Sequence, residues 1–256
     1  MAPPLTESIL FEERFRGFYE HPLGGYVGGR MAKVLGPDAE VRFSRPVPLG
    51  VPLQLDRTEA DVTLSDGGGA LAEARQLTVT VDAPIPPTVS EAEAASRGYQ
   101  GHTFHFFPEC FCCGPARAVG DGLRVFPGPV PGRDMVAACW TPDPGLGADG
   151  NVECEYVWSA IDCPGIWALV HAAPANSEDH IVTGTLAVHM LGPVEVGERH
   201  IIVAWRLGED GRRIYAGTAI FSLDGTIRVL AKQTCIRLDR GVPLGLDAWR
   251  SPKVTR

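Results

Sequence analysis

The longest apolar segment of the chain, Val152 to His171, predicts a helix packed against the protein core. The segment contains Asp162 near its middle and Pro164 two positions later. An ionised carboxylate in apolar surroundings costs several kcal/mol unless it is paired or hydrated, and no lysine or arginine lies within one helical turn of Asp162. The pattern allows two interpretations: a residue on an exposed stripe of the helix, or the functional group of the segment.

The order of predicted elements occurs twice along the chain. A glycine-opened helix at 21–36 precedes strand-like segments separated by Gly, Asp and Pro turns. After the helix at 152–171, strand-like segments follow again, and "GPVEVG" at 192–197 corresponds to "RPVPLG" at 45–50. Self-similarity on this scale predicts duplication of a whole domain. The alternative is a pair of unrelated α+β domains.

A Pro- and Ser-rich stretch at 82–101 separates the two copies. Its prolines disfavour both a helix and a central strand, so we interpret it as a connection between domains. The predicted division is an N-terminal half at 1–85, a linker at 86–101, a C-terminal half at 102–240 and a tail at 241–256. One long helix and several antiparallel strands in each half predict an α+β fold in which a curved sheet wraps a helix.

Composition restricts the class of protein. The chain has 256 residues, 45% of them hydrophobic and 21% charged, which is enough apolar material for a sizeable core. A formal net charge of −8 and scattered basic residues disfavour nucleic acid and anionic membranes as partners. No apolar window reaches transmembrane length, and the first residues do not resemble a secretory signal. Seven cysteines in a chain of this length require no disulfide framework, so we expect a reducing cytoplasmic location.

Several short motifs in the C-terminal half form a recognisable series. They are C-F-x-C-G at 110–114, G-L at 122–123, T-P at 141–142 and the helix that carries Asp162. With these motifs, the segment resembles hot-dog-fold thioesterases of the phenylacetyl-CoA thioesterase type. The resemblance implies a double hot dog, in which two fused, helix-wrapped antiparallel sheets form a pseudo-dimer.

The resemblance also implies a role for Asp162. In these enzymes the acid acts as nucleophile or general base on a thioester, and a glycine N–H at the helix N-terminus of the opposite subunit polarises the carbonyl. Their helix opens with H-G-G, nine positions before the acid. Here Glu153 occupies the histidine position, and Cys154 and Glu155 occupy those of the glycines. The acid is therefore retained, while the glycine pair of this half is lost.

The N-terminal half contains the complementary part. Gly24 and Gly25 open its helix, whereas Ala32 occupies the position of the acid. The resemblance thus implies one composite site, with Asp162 from one half and the Gly25 N–H from the other. The second pairing, Ala32 with Glu155, is expected to be inactive, because a carboxylate near a developing oxyanion is repulsive.

Four residues beside these groups are predicted to contact the substrate: Gly24, Tyr26, Ser159 and Trp158. Ser159 lies one turn before Asp162 and is equally suited to a hydrogen bond with a backbone carbonyl. Trp158 is equally suited to packing the helix against its sheet. No cofactor is expected.

A cysteine- and histidine-rich segment offers a different chemistry. His102, His105, Cys110 and Cys113 form a set that zinc could bind tetrahedrally. The histidine pair lacks a standard ligand spacing, and buried free thiols behave as small hydrophobic groups. We therefore predict no metal, while the sequence leaves zinc binding by this set open.

The predicted function is hydrolysis of acyl-CoA or another acyl thioester, and a homodimer of double hot dogs is one expected assembly. One alternative is an inactive protein that binds acyl-CoA or lipid. Another is a hydratase or dehydratase acting on acyl thioesters, which commonly needs a histidine five residues after the aspartate, where this chain has Trp167. Acyl chain length, and CoA versus carrier protein, are left open.

Overall fold

The structure is a computed structural model that describes residues 5–18, 20–173 and 180–238. The predicted tail at 241–256 lies outside these residues. The elements of the N-terminal part are β1 (Leu5–Ile9), β2 (Arg16–Phe18), β3 (His21–Pro22), α1 (Gly24–Leu35), β4 (Ala39–Phe43), β5 (Leu53–Arg57), β6 (Asp61–Ser65) and β7 (Ala70–Gln76). Those that follow are α2 (Val89–Arg97), β8 (Gly128–Pro129), β9 (Val136–Trp140), β10 (Gly147–Ala148), β11 (Asn151–Val152), α3 (Cys154–Ala172), β12 (His180–Met190), β13 (His200–Asp210), β14 (Arg213–Phe221) and β15 (Ile227–Leu238).

One antiparallel sheet dominates the described part of the chain. Its eleven strands are ordered β1-β5-β6-β7-β4-β12-β15-β14-β13-β9-β8. Five come from the N-terminal part and six from the C-terminal part, and the two groups join where β4 pairs with β12, for example Val41 with Leu186. This junction gives each group a partner at what would otherwise be an open edge. The large sheet and few helices confirm the α+β class.

The two long helices, α1 and α3, pack against each other and against this sheet. The apolar segment predicted as a helix is α3, and the glycine-opened helix is α1. Glycines in α1 allow the close approach: a Cβ on Gly28 would lie 2.8 Å from the Trp158 ring, and one on Gly29 would overlap the Glu155 Cα. No helix in the described ranges is long and apolar enough to cross a membrane.

Helix α3 continues through Pro164, which cannot donate a hydrogen bond to the Ala160 carbonyl. The thiol of Cys112 points at that carbonyl oxygen instead, with its sulfur 4.0 Å away. A residue of the predicted C-F-x-C-G motif therefore lies against the middle of α3, next to Asp162.

The stretch at 82–101 contains a helix, α2, so the expectation that its prolines exclude helix is wrong. The last proline is Pro87, and the residue after it begins a capping box. The Thr88 side chain accepts from the Glu91 N–H, while the Glu91 carboxylate accepts from the Thr88 N–H. Ala92 and Ala95 are buried in the cluster that α2 shares with the end of the sheet. The connection between the two parts is thus packed and locally ordered.

Replacing Thr88 with alanine is expected to lower the free energy of unfolding by about 1 kcal/mol, because the first-turn N–H of Glu91 loses the side-chain oxygen that accepts from it. Thermal or urea unfolding of the purified variant measures the change. Ser90→Ala, an exposed position in the same helix, is the matched control and should change stability little. Equal effects of the two substitutions would contradict the capping role.

Candidate active site

The Asp162 carboxylate is almost fully buried, with 4% of the residue exposed, and its partners come from three other elements. Oδ2 accepts the backbone N–H of Gly25 in α1 at 2.7 Å. Oδ1 accepts from Gln233 Nε2 in β15 at 2.7 Å and from Thr183 Oγ1 in β12 at 3.4 Å. The structure therefore brings together the two groups that the sequence analysis placed in one site, although they lie far apart along the chain.

Burial raises the pKa of Asp162 to about 6, because the charged form loses its hydration. The Gly25 N–H opposes this rise, the nearby Cys110 adds to it, and the hydrogen bonds from Thr183 and Gln233 oppose it. A carboxylate with this pKa is ionised at neutral pH yet more basic than an exposed one, so it is suited to accept a proton from water.

Gln233 and Thr183 complete a hydrogen-bonded triad with Asp162. Besides its bond to Asp162, Gln233 Nε2 donates to Thr183 Oγ1 at 2.8 Å. Gln233 is 1% exposed, and its Oε1 is buried without a hydrogen-bond partner. Gly165 makes room for this amide, since a Cβ there would overlap Oε1. An unpartnered buried acceptor beside a carboxylate can bind a donor such as water.

Neither of these residues is predicted from the sequence, because both lie on strands distant from the motif. One signal was available for Gln233. In β15 the inward positions alternate, and they hold Val229, Ala231, Gln233 and Cys235. A glutamine among inward apolar residues breaks the period of two and requires a buried polar partner.

The N-terminus of α1 faces the Asp162 carboxylate. Leu23 precedes the helix and offers no capping side chain, so Asp162 satisfies one of the free first-turn N–H groups. A Cβ on Gly24 would lie 3.3 Å from Asp162 Oδ2, which places Gly24 directly beside the carboxylate. The positive end of the helix dipole at this position favours negative charge, on a carboxylate or on an oxyanion.

Three other predicted site residues use their side chains within the protein. Trp158 is fully buried and its ring lies over Gly28. The Ser159 hydroxyl donates to the Glu155 carbonyl at 2.6 Å. Tyr26 is buried and stacks on Phe15, with ring centroids 3.8 Å apart. Contact of these residues with a substrate stays a prediction.

The position where Ala32 would pair with Glu155 holds an ion pair. Lys33 Nζ donates to Glu155 Oε1 at 3.0 Å and to Glu153 Oε2 at 2.6 Å. Glu155 is buried, while Ala32 is fully buried among apolar residues and has no polar side chain. Among the described residues on this side of the helix pair, no carboxylate accepts a helix N–H as Asp162 does.

The four residues for which zinc binding was left open, His102, His105, Cys110 and Cys113, do not form one cluster in the described part of the chain. His102 lies with its ring against Tyr99 and Phe126. The thiols of Cys110 and Cys113 instead meet that of Cys163 in α3.

No family model and no curated protein matches the sequence. Solved structures match almost its whole length. A tesB protein of Mycobacterium avium subspecies paratuberculosis is 13% identical, with 91% of this chain and 93% of that chain covered at a TM-score of 0.61. An acyl-CoA thioesterase II of Mycobacterium marinum is 12% identical, with 92% and 94% covered and the same TM-score. A protein of Thermobifida fusca named putative thioesterase II is 13% identical, with 91% and 92% covered and a TM-score of 0.58. The chain therefore shares the fold of these structures, the hot-dog fold.

Proposed function

We propose that the chain hydrolyses acyl-CoA thioesters at one composite site built from Asp162 and the N-terminus of α1. The observation that carries this proposal is the meeting of Asp162 with the Gly25 N–H, Gln233 and Thr183 in one buried network. The similarity in fold to a protein named acyl-CoA thioesterase II supports the same reaction class.

The proposed reaction begins when the thioester carbonyl oxygen takes the place of Asp162 Oδ2 as acceptor of the Gly25 N–H. The freed carboxylate, held by Gln233 and Thr183, removes a proton from a water molecule whose oxygen attacks the carbonyl carbon. The Gly25 N–H and the helix dipole stabilise the resulting oxyanion. The C–S bond then breaks, the acyl group leaves as a carboxylic acid, and the proton on Asp162 passes to the departing thiolate.

The double hot dog is part of this proposal, with halves at 1–85 and 102–240 joined through 86–101. Contacts across the helix pair support it. Gly25 approaches Ser159, and at the equivalent positions Glu155 approaches Gly29, so the two helices cross with approximate two-fold symmetry. Such symmetry generates two equivalent positions for a site, and only one of them retains both the acid and the glycine.

A second candidate function is acyl-CoA or lipid binding without turnover. Both oxygens of Asp162 already accept hydrogen bonds from the protein, from the Gly25 N–H and from Gln233. This arrangement favours the second function, because the carboxylate must give up a bond before it can act on a substrate. A panel of acyl-CoA substrates, with thiol release measured beside ligand-induced thermal stabilisation, separates the two functions. Hydrolysis of at least one substrate supports the enzyme, whereas stabilisation with no turnover across the panel supports the binding protein.

Replacing Gln233 with leucine is expected to lower kcat/KM by about 10- to 100-fold, because a hydrogen bond to a charged group contributes about 1.5–3 kcal/mol. Leucine fills a similar volume, so the fold should persist. Steady-state thiol release measures the effect, and melting temperature monitors the fold.

Gln54→Leu is the matched control for this substitution. Gln54 also donates from a strand to an aspartate, Asp56, at 2.7 Å, but on the exposed surface. An unchanged rate in Gln233→Leu would remove Gln233 from the catalytic network.

A further inference from the structure

Three buried cysteine sulfurs meet between the C-F-x-C-G motif and α3. The sulfurs of Cys110, Cys113 and Cys163 all lie within 4.8 Å of one another, and all three residues are buried. Cys110 and Cys163 are 3.6 Å apart, well beyond the S–S bond length of about 2.05 Å, so these thiols are not joined in a disulfide. Two thiolates bound to one tetrahedral zinc ion at about 2.3 Å are separated by about 3.8 Å. The observed spacing is close to that value.

The local backbone fixes two of the three sulfurs. Cys110 and Cys113 have the C-x₂-C spacing that is common in structural zinc sites. The turn between them is closed by the Gly114 N–H, which donates to the Cys110 carbonyl at 2.9 Å. A Cβ on Gly114 would lie 2.5 Å from the Cys110 backbone, so this tight turn requires glycine. The third sulfur comes from a helix in a distant part of the chain.

Cys112 lies in the same turn but has a separate role. Its sulfur points at the Ala160 carbonyl, the helix acceptor that Pro164 leaves without a donor. The Cys112 thiol also lies near that of Cys163. Among the described residues, however, the group whose sulfurs all lie within 4.8 Å of one another is Cys110, Cys113 and Cys163.

A fourth donor is adjacent to this cluster. His105 Nε2 lies 3.3 Å from Cys113 Sγ, and its Nδ1 accepts the Phe107 N–H at 2.9 Å. A neutral imidazole with this hydrogen bond carries its proton on Nε2 and donates it toward the sulfur. Coordination through Nε2 requires that proton to move to Nδ1, so the Phe107 hydrogen bond has to break and the ring has to turn toward the three sulfurs.

We propose that Cys110, Cys113 and Cys163 bind one zinc ion, with His105 as the fourth ligand. The three thiol protons pass to the solvent as the metal binds. The site is structural, because three buried cysteines and the partly buried His105 would supply all four ligands and leave no position for a substrate. It fastens the turn at 110–114 to α3 at the residue next to Asp162, and the proposal does not depend on the thioesterase assignment.

The test is metal content together with Co²⁺ substitution in the full chain. We expect one zinc per chain by mass spectrometry, and Co²⁺ should give the visible absorption of a tetrahedral thiolate site. Cys163→Ser should lose both signals, while Cys112→Ser, which retains a hydroxyl for the Ala160 carbonyl, should keep both. Removing zinc with a chelator should lower the melting temperature of the wild type but not of Cys163→Ser.

His105→Ala should weaken metal affinity by about 10-fold or more, measured by competition with a chelating dye. Unchanged affinity and an unchanged Co²⁺ spectrum in this variant would remove His105 from the ligand set. If Cys163→Ser does not fold, titration of the wild type decides: failure to bind Zn²⁺ or Co²⁺ under reducing conditions overturns the proposal. Retention of the metal by a folded Cys163→Ser would overturn it as well.

Discussion

Alanine at position 25 is expected to force α1 and α3 apart and to abolish thioester hydrolysis. The added Cβ would overlap the Trp158 carbonyl oxygen and lie 2.9 Å from both the Ser159 Cα and the Asp162 Cβ. Two of these atoms are backbone, so no side-chain rotation relieves the overlap. Overpacking of this kind costs about 1–3 kcal/mol or more. In a chain of this size, we expect a melting temperature lower by several degrees.

Gly24→Ala is the matched control for stability. Its Cβ would lie 3.3 Å from the Asp162 carboxylate oxygen and 3.7 Å from the Phe43 ring, which are side-chain atoms, so a small adjustment accommodates it. Differential scanning calorimetry should show a melting temperature that is several degrees lower for Gly25→Ala and little changed for Gly24→Ala. Equal melting temperatures would contradict the close crossing of the two helices at Gly25.

Asp162→Asn is expected to lower kcat at least about 100-fold while the protein stays folded, because general base catalysis contributes about 10²- to 10⁴-fold. Asparagine has the same shape but retains only one acceptor oxygen, which can still accept the Gly25 N–H. Its amide would then face Gln233 Nε2, another donor. Gln233 can turn its unpartnered Oε1 toward that amide, so the network loses little stability.

The control for this variant is Asp56→Asn, whose carboxylate accepts from Thr6 and Gln54 on the exposed surface. The rate of thiol release measures the activity of both variants. Circular dichroism and melting temperature show whether each variant is folded. A variant at position 162 that unfolds while its control stays folded would indicate that the carboxylate is primarily a cap for α1.

The sequence predicted the parts of the site that lie on helices. An aspartate in an apolar helix and a glycine pair at the start of another helix are local signals, and the structure places Gly25 and Asp162 in direct contact. Thr183 gave no such signal, and the break in the strand pattern at Gln233 does not show which residue is its partner. Their role arises only when β12 and β15 pair beneath α3, and that pairing depends on contacts between distant residues.

The cysteine-rich segment shows the same limit. The sequence placed Cys110 and Cys113 with two nearby histidines, since nearby residues were the ones it could associate. Folding instead supplies Cys163 from α3 and turns His102 toward Tyr99. Similarly, the prolines of 82–101 concealed α2, although Thr88 and Glu91 carried a local capping signal.

The most direct test of the proposed hydrolase is the rate of thiol release from a panel of acyl-CoA substrates, measured for the wild type beside Asp162→Asn. We predict that the wild type hydrolyses at least one substrate and that the folded variant is at least about 100-fold slower on it. Equal rates for the two proteins, or binding by the wild type with no turnover on any substrate, would contradict it.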